Sequence, residues 1–128
     1  MIASRVLIVD DEKPISTLLA QTFEQDGHQV ANAFDGIDCM NKMAAFRPDV
    51  VIMDIMMPKL DGVDTTRLIR RNKSYSDIIV VALSAKSDEE TRRRMKEAGA
   101  NLFMRKPFVI AKLLARVSRM LEIRSESR

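Results

Sequence analysis

Two stretches decide the reading of this chain: Val6-Leu7-Ile8-Val9-Asp10-Asp11-Glu12 and Val50-Val51-Ile52-Met53-Asp54. Each is a short apolar, β-branched run that ends abruptly in carboxylates. A run that is apolar at every position, rather than at alternate ones, fits a strand covered on both faces, as in a parallel sheet between two helix layers. Working outward, further runs lie at 30–33, 78–83 and 102–104. The run at 78–83 is again continuous. The other two are short, or broken by Asn32, and fit sheet edges.

Helical patterns separate these runs. Pro14 suits a first helical turn and is followed by Ile15, Leu18, Leu19, Thr22 and Phe23 at helical spacing, with Gly27 as the stop. Asp35 can cap a second helix whose apolar face is Ile37, Met40, Met43, Ala44 and Phe46. Pro48 returns the chain to an extended path. Asp61-Gly62 opens a third helix, Ser87-Asp88-Glu89-Glu90 a fourth with a capping-box pattern, and Gly99 ends it. Pro107 is expected to open a fifth, with Val109, Leu113, Val117, Met120 and Leu121 on one side. The expectation is a (βα)5 doubly wound parallel five-stranded sheet in a three-layer sandwich. With the weak runs at the edges, the strand order is 2-1-3-4-5. In such sheets the site lies beyond the carboxyl ends of the strands, at the switch point between strands 1 and 3.

With 128 residues, 46% of them hydrophobic and 30% charged, the chain reads as one soluble globular domain. No apolar run is long enough to span a membrane, and the N-terminus lacks the pattern of a signal peptide. One cysteine, Cys39, and one histidine, His28, exclude an internal disulfide and a Cys/His metal site, and point to a reducing cytoplasm. Cys39 reads as a small buried apolar group and His28 as an exposed turn residue. Residues 1–64 carry 5 Lys/Arg against 11 Asp/Glu, and residues 65–128 carry 16 against 7. An acidic first half suits a cation, and a basic second half an anionic partner. The sequence has no helix-turn-helix, zinc finger or aromatic stacking platform, so direct nucleic-acid binding is not expected.

At the strand ends stand Asp10 and Asp11, Asp54, Ser84 and, just past strand 5, Lys106. In the expected order strands 1 and 3 are neighbours, so three carboxylates converge. Like charges ~4 Å apart repel by about 4 kcal/mol at an effective dielectric of 20. Such a cluster needs a cation or protons. A few hard oxygens suit Mg2+ better than Zn2+, with Mn2+ a possible substitute.

These residues resemble the receiver domain of two-component response regulators. The motifs are Leu7-Ile8-Val9-Asp10-Asp11-Glu12, Val51-Ile52-Met53-Asp54-Ile55-Met56-Met57-Pro58, Asp61-Gly62, Leu83-Ser84-Ala85, Gly99-Ala100 and Lys106-Pro107-Phe108, all in order. The resemblance spans about residues 4–122 and implies a flavodoxin-like receiver over residues 1–123 with a short tail at 124–128. It implies that Asp54 is the phosphoacceptor, serving a sensor histidine kinase or a histidine phosphotransfer protein. It implies that Asp11 and Asp54 bind Mg2+ directly with the main-chain carbonyl of Met56, and that Asp10 acts through water. Lys106 would pair with Asp54 and then with phosphoryl oxygens. Ser84 would hydrogen-bond a phosphoryl oxygen, and Phe103 would be the switch aromatic that moves with it. The Lys106-Pro107 peptide is expected to be cis. The protein would catalyse only its own phosphorylation and dephosphorylation.

Several positions depart from the common pattern. Met56 and Lys86 stand where side chains flank the attacking water, and a thioether cannot orient water, so slow loss of the phosphoryl group is expected. Phe103 lacks the hydroxyl of the commoner Tyr. Asn101-Leu102 replaces the acidic pair that serves a salt-bridged dimer, so the chain is expected to be a monomer or a phosphorylation-dependent dimer. Arg92, Arg93, Arg94, Lys112, Arg116 and Arg119 instead offer a basic face on helix 4, strand 5 and helix 5 to a downstream protein. A relay intermediate, or the receiver of a longer transcriptional regulator, fits the same residues. A flavin binder would find its phosphate repelled by Asp10-Asp11-Glu12. A phosphatase with a strand-end Asp nucleophile would need a second Asp where Met56 stands.

Overall fold

A computed structural model describes residues 3–85 and 88–127. Five strands alternate with five helices: β1 (Arg5–Val9), α1 (Lys13–Gln25), β2 (Gln29–Ala33), α2 (Gly36–Phe46), β3 (Val50–Asp54), α3 (Gly62–Arg71), β4 (Ile79–Ser84), α4 (Glu89–Ala98), β5 (Leu102–Arg105) and α5 (Ile110–Glu126), with a 3-10 turn at Lys73–Tyr75. The sheet is parallel throughout and ordered β2-β1-β3-β4-β5, as the hydrophobic pattern requires. Every residue of β3 and β4 is buried, whereas β2 and β5 are half-buried edges.

Alternate side chains of the central strands feed two cores, because successive strand residues point to opposite faces. Leu7, Val9, Val51, Met53, Val80 and Ala82 meet Cys39, Met43, Val63, Ile69 and Met95 of α2, α3 and α4. Val6, Ile8, Val50, Ile52, Val81 and Leu83 meet Leu19, Phe23, Leu113, Val117 and Leu121 of α1 and α5. Cys39 is fully buried, and burial pushes its thiol up to about 12, which makes it an inert core group. Asp35, Asp61 and Asp88 cap α2, α3 and α4 by accepting from the backbone N–H of Asp38, Asp64 and Thr91.

Four expectations are corrected. Pro107 does not open the last helix: the Lys106-Pro107 bond is cis, as expected, but α5 starts three residues later, at Ile110. Residues 124–126 are not a tail. They continue α5, because Arg124 reaches over the lower edge of the sheet and donates to the carbonyls of Asp49 and Asp77 and to the Asp49 carboxylate. His28 is buried, not exposed: its Nδ1 accepts from the backbone N–H of Ser4, and its ring packs on Phe23. Leu18 and Ile37, placed on apolar helix faces, are each half exposed, because the helices turn narrower stripes inward. Ser87 and Lys86 lie outside the described residues.

Candidate functional site

Strand register brings the chemistry together. Val9 pairs with Met53, Asp54 with Leu83 and Ser84 with Arg105, so the carboxyl ends of β1, β3, β4 and β5 finish at one level. Asp10, Asp54 and Ser84 are all buried there. The N–H of Asp10 donates to Ala33, and the N–H of Glu12 turns back onto the Asp10 carboxylate at 2.9 Å. Lys106 is anchored by its own N–H on the Ser84 carbonyl at 2.8 Å. Gly62 lets α3 sit against the end of β3, since a Cβ there would lie 2.5 Å from the Asp54 carbonyl oxygen.

Lys106 Nζ is surrounded by acids: Asp10 at 3.1 Å, Asp54 at 3.6 Å and Glu12 at 3.7 Å. Asp54, its expected partner, lies within ion-pair distance, and Asp10 is nearer. Burial pushes the Asp54 carboxyl up to about 7; the charge of Asp10, and more weakly that of Asp11, adds to this, against Lys106 and the Met56 N–H. Burial pulls the Lys106 ammonium down, but the hydrogen bond to Asp10 and the charges of Asp54, Asp10 and Glu12 outweigh it, and the net shift is upward.

Asp10, Glu12 and Asp54 can each offer an oxygen within 4.8 Å of the others, which suits a hard divalent cation. The sequence motif assigns Glu12 no role. Its burial-free side chain gave no signal; only the backbone turn onto Asp10 brings it in. Asp11 is exposed and stands outside that trio. Met56 is exposed beside the site, and Phe103 is half-buried with the Arg92 guanidinium 5.1 Å from its ring centre.

A sheet ordered 2-1-3-4-5 with buried acids at the ends of β1 and β3 and a lysine after β5 is matched by the family profile of the response regulator receiver domain over residues 6–118. The chain belongs to this family. It is 38% identical over 122 residues to the alkaline phosphatase synthesis transcriptional regulatory protein PhoP of Bacillus subtilis, covering 95% of this chain and 50% of that protein. It is 38% identical over 123 residues to the transcriptional regulatory protein PrrA of Mycobacterium tuberculosis, covering 96% and 52%. The chain thus spans about half the length of these curated relatives. Among solved structures, the receiver domain of Francisella response regulator 1452 superposes with a TM-score of 0.85 at 29% identity, covering 98% of this receiver and 99% of that chain. The Vibrio cholerae chemotaxis protein CheY4 superposes with 0.87 at 28% identity, covering 93% and 99%.

The receiver's basic face is partly self-neutralised. Arg93 pairs with Glu90 and Glu97, and Arg119 with Glu122, on their own helices. Arg94, Lys112 and Arg116 form no ion pair among the described residues. A groove of about 410 Å3 runs between α4 and β5, lined by Arg92, Met95, Lys96, Ala100, Leu102 and Phe103 among others. Asn101 is committed inward: its Oδ1 accepts from the Val80 N–H and from Arg70, both at 2.8 Å. No helix among the described residues is long and apolar enough to cross a membrane.

Proposed function

We propose that this receiver is a Mg2+-dependent phosphoacceptor switch, with Asp54 taking a phosphoryl group from a phosphohistidine of a sensor histidine kinase or histidine phosphotransfer protein. An Asp54 carboxylate oxygen attacks phosphorus, the N–P bond breaks, and its electron pair returns to the donor imidazole. Asp11 and Asp54, with the main-chain carbonyl of Met56, would bind the ion directly and Asp10 through water; the clustering of the Asp10 and Asp54 oxygens with that of Glu12 supports an ion there. When bound, Mg2+ supplies positive charge to the phosphoryl oxygens, where the loose transition state spreads its charge. Lys106 would supply a second positive charge, already oriented by Asp10. Ser84, buried at the end of β4, would donate to a phosphoryl oxygen, and Phe103 on the neighbouring strand would respond to it.

The observation that carries this reading is Asp54 itself: a carboxyl buried at the end of a central strand, 3.6 Å from the Lys106 ammonium, and raised to about 7 by burial and then by the charge of Asp10. Signalling through α4, β5 and α5 is supported by Arg94, Lys112 and Arg116 and by the groove beside Phe103. These suit a downstream protein with acidic residues. The names of the half-covered relatives favour a second reading, in which this receiver serves a longer transcriptional regulator.

Intact-mass spectrometry after incubation with Mg2+ and a small phosphodonor tests the proposal. A gain of one phosphoryl group, lost without Mg2+ and in Asp54→Asn, is expected. No gain in the folded wild type would overturn it.

A further inference from the structure

We infer that Glu12 is a positioning residue for Lys106: it receives the ammonium when a divalent cation occupies the acidic site, and keeps it at the mouth of that site. This rests on the phosphoacceptor reading above.

The argument starts from the three acids around Nζ. Asp10 and Asp54 are buried, with side chains only 2% and 4% exposed, and they hold the ammonium at 3.1 and 3.6 Å. Glu12, at 3.7 Å, is different, because its side chain is 59% exposed and can follow a moving partner. Its backbone is fixed, by the N–H that donates to Asp10 Oδ1. The Lys106 backbone is fixed too, on the Ser84 carbonyl. Only the two long side chains can move.

A cation bound by Asp54, and through water by Asp10, takes the oxygens Lys106 now uses and repels its charge. The ammonium must shift outward. Among the described residues, the acids facing it are Asp10, Asp54 and Glu12, so Glu12 is the acceptor left on the outer side. With Glu12 present, the ammonium stays within reach of the position an incoming phosphoryl group takes. Without it, Lys106 either competes with the cation for the two aspartates or leaves for solvent.

Calorimetric Mg2+ titration of the whole chain, in a double-mutant cycle, reads this directly. Glu12→Gln should weaken Mg2+ binding by about threefold to fivefold, the range that a pair of this exposure carries. Lys106→Met, which keeps the stem and removes the competing charge, should tighten it. In the Lys106→Met background, Glu12→Gln should have less than half its effect. An equal effect in both backgrounds would overturn the inference, because Glu12 would then act as a ligand or through its field alone. No effect in the wild-type background would overturn it as well. A wild type with no Mg2+ site sensitive to Asp54→Asn would sink the phosphoacceptor reading itself.

Discussion

The Lys106 ammonium sits closer to Asp10, at 3.1 Å, than to Asp54, at 3.6 Å. Asp10 therefore acts on Asp54 in two ways. Its charge raises the neighbouring carboxyl, and its hydrogen bond draws away the cation that would lower it. Asp10→Asn should thus lower the pKa of Asp54, observed by carboxyl-carbon NMR titration without metal. An unchanged or higher value would show that Asp10 does not hold the lysine in this way.

Asp54 makes the metal-free receiver less stable at neutral pH than in mild acid. Its folded pKa, about 7, lies above the ordinary value of 3.8. Between the two the folded state keeps a proton that the unfolded chain has lost, so stability falls as pH rises across that window. At one pKa unit per 1.36 kcal/mol, the cost reaches at most about 4 kcal/mol above pH 7. Asp54→Asn should match the wild type in urea unfolding near pH 4 and exceed it near pH 8, and Mg2+ should close the gap. Equal stabilities at pH 8 without metal would contradict this.

Met56 should govern how long a phosphoryl group on Asp54 lasts. Its exposed thioether stands two residues beyond Asp54 and is a weak acceptor that orients water poorly. The acyl phosphate should outlive many seconds, and Met56→Asn should shorten its lifetime by supplying an amide to hold the water. Following the phosphorylated mass with time checks both. Loss within seconds in the wild type would defeat the idea.

Arg124 fastens the end of α5 to the starts of β3 and β4. Arg124→Ala removes donors to two carbonyls and to the Asp49 carboxylate. The expected loss in urea unfolding is roughly 1–3 kcal/mol, the range for hydrogen bonds with a charged partner, because the Asp49 carbonyl and carboxylate keep the N–H groups of Ile79 and Arg5. Hydrogen exchange should show fraying from Ile123 onward. A loss of only a few tenths would mean that water replaces the guanidinium.

What the sequence by itself determined was everything written in hydrophobic period and strand-end chemistry. Continuous apolar runs such as 50–53, short and β-branched, fit strands covered on both faces. Their spacing fixed the doubly wound sheet, and so the convergence of Asp10, Asp54, Ser84 and Lys106 beyond its edge. Tertiary structure alone decided what depends on the direction of one side chain. Glu12 joins the acids only because the chain turns back on Asp10. His28 is buried only because Ser4 and Phe23 come from other elements to cover it. Arg124 extends α5 only because Asp49 and Asp77, 75 and 47 residues away in sequence, arrive beneath it. A local pattern carries periodicity, which is a property of one segment. It does not carry the partners of a polar group, which are set by where distant segments land.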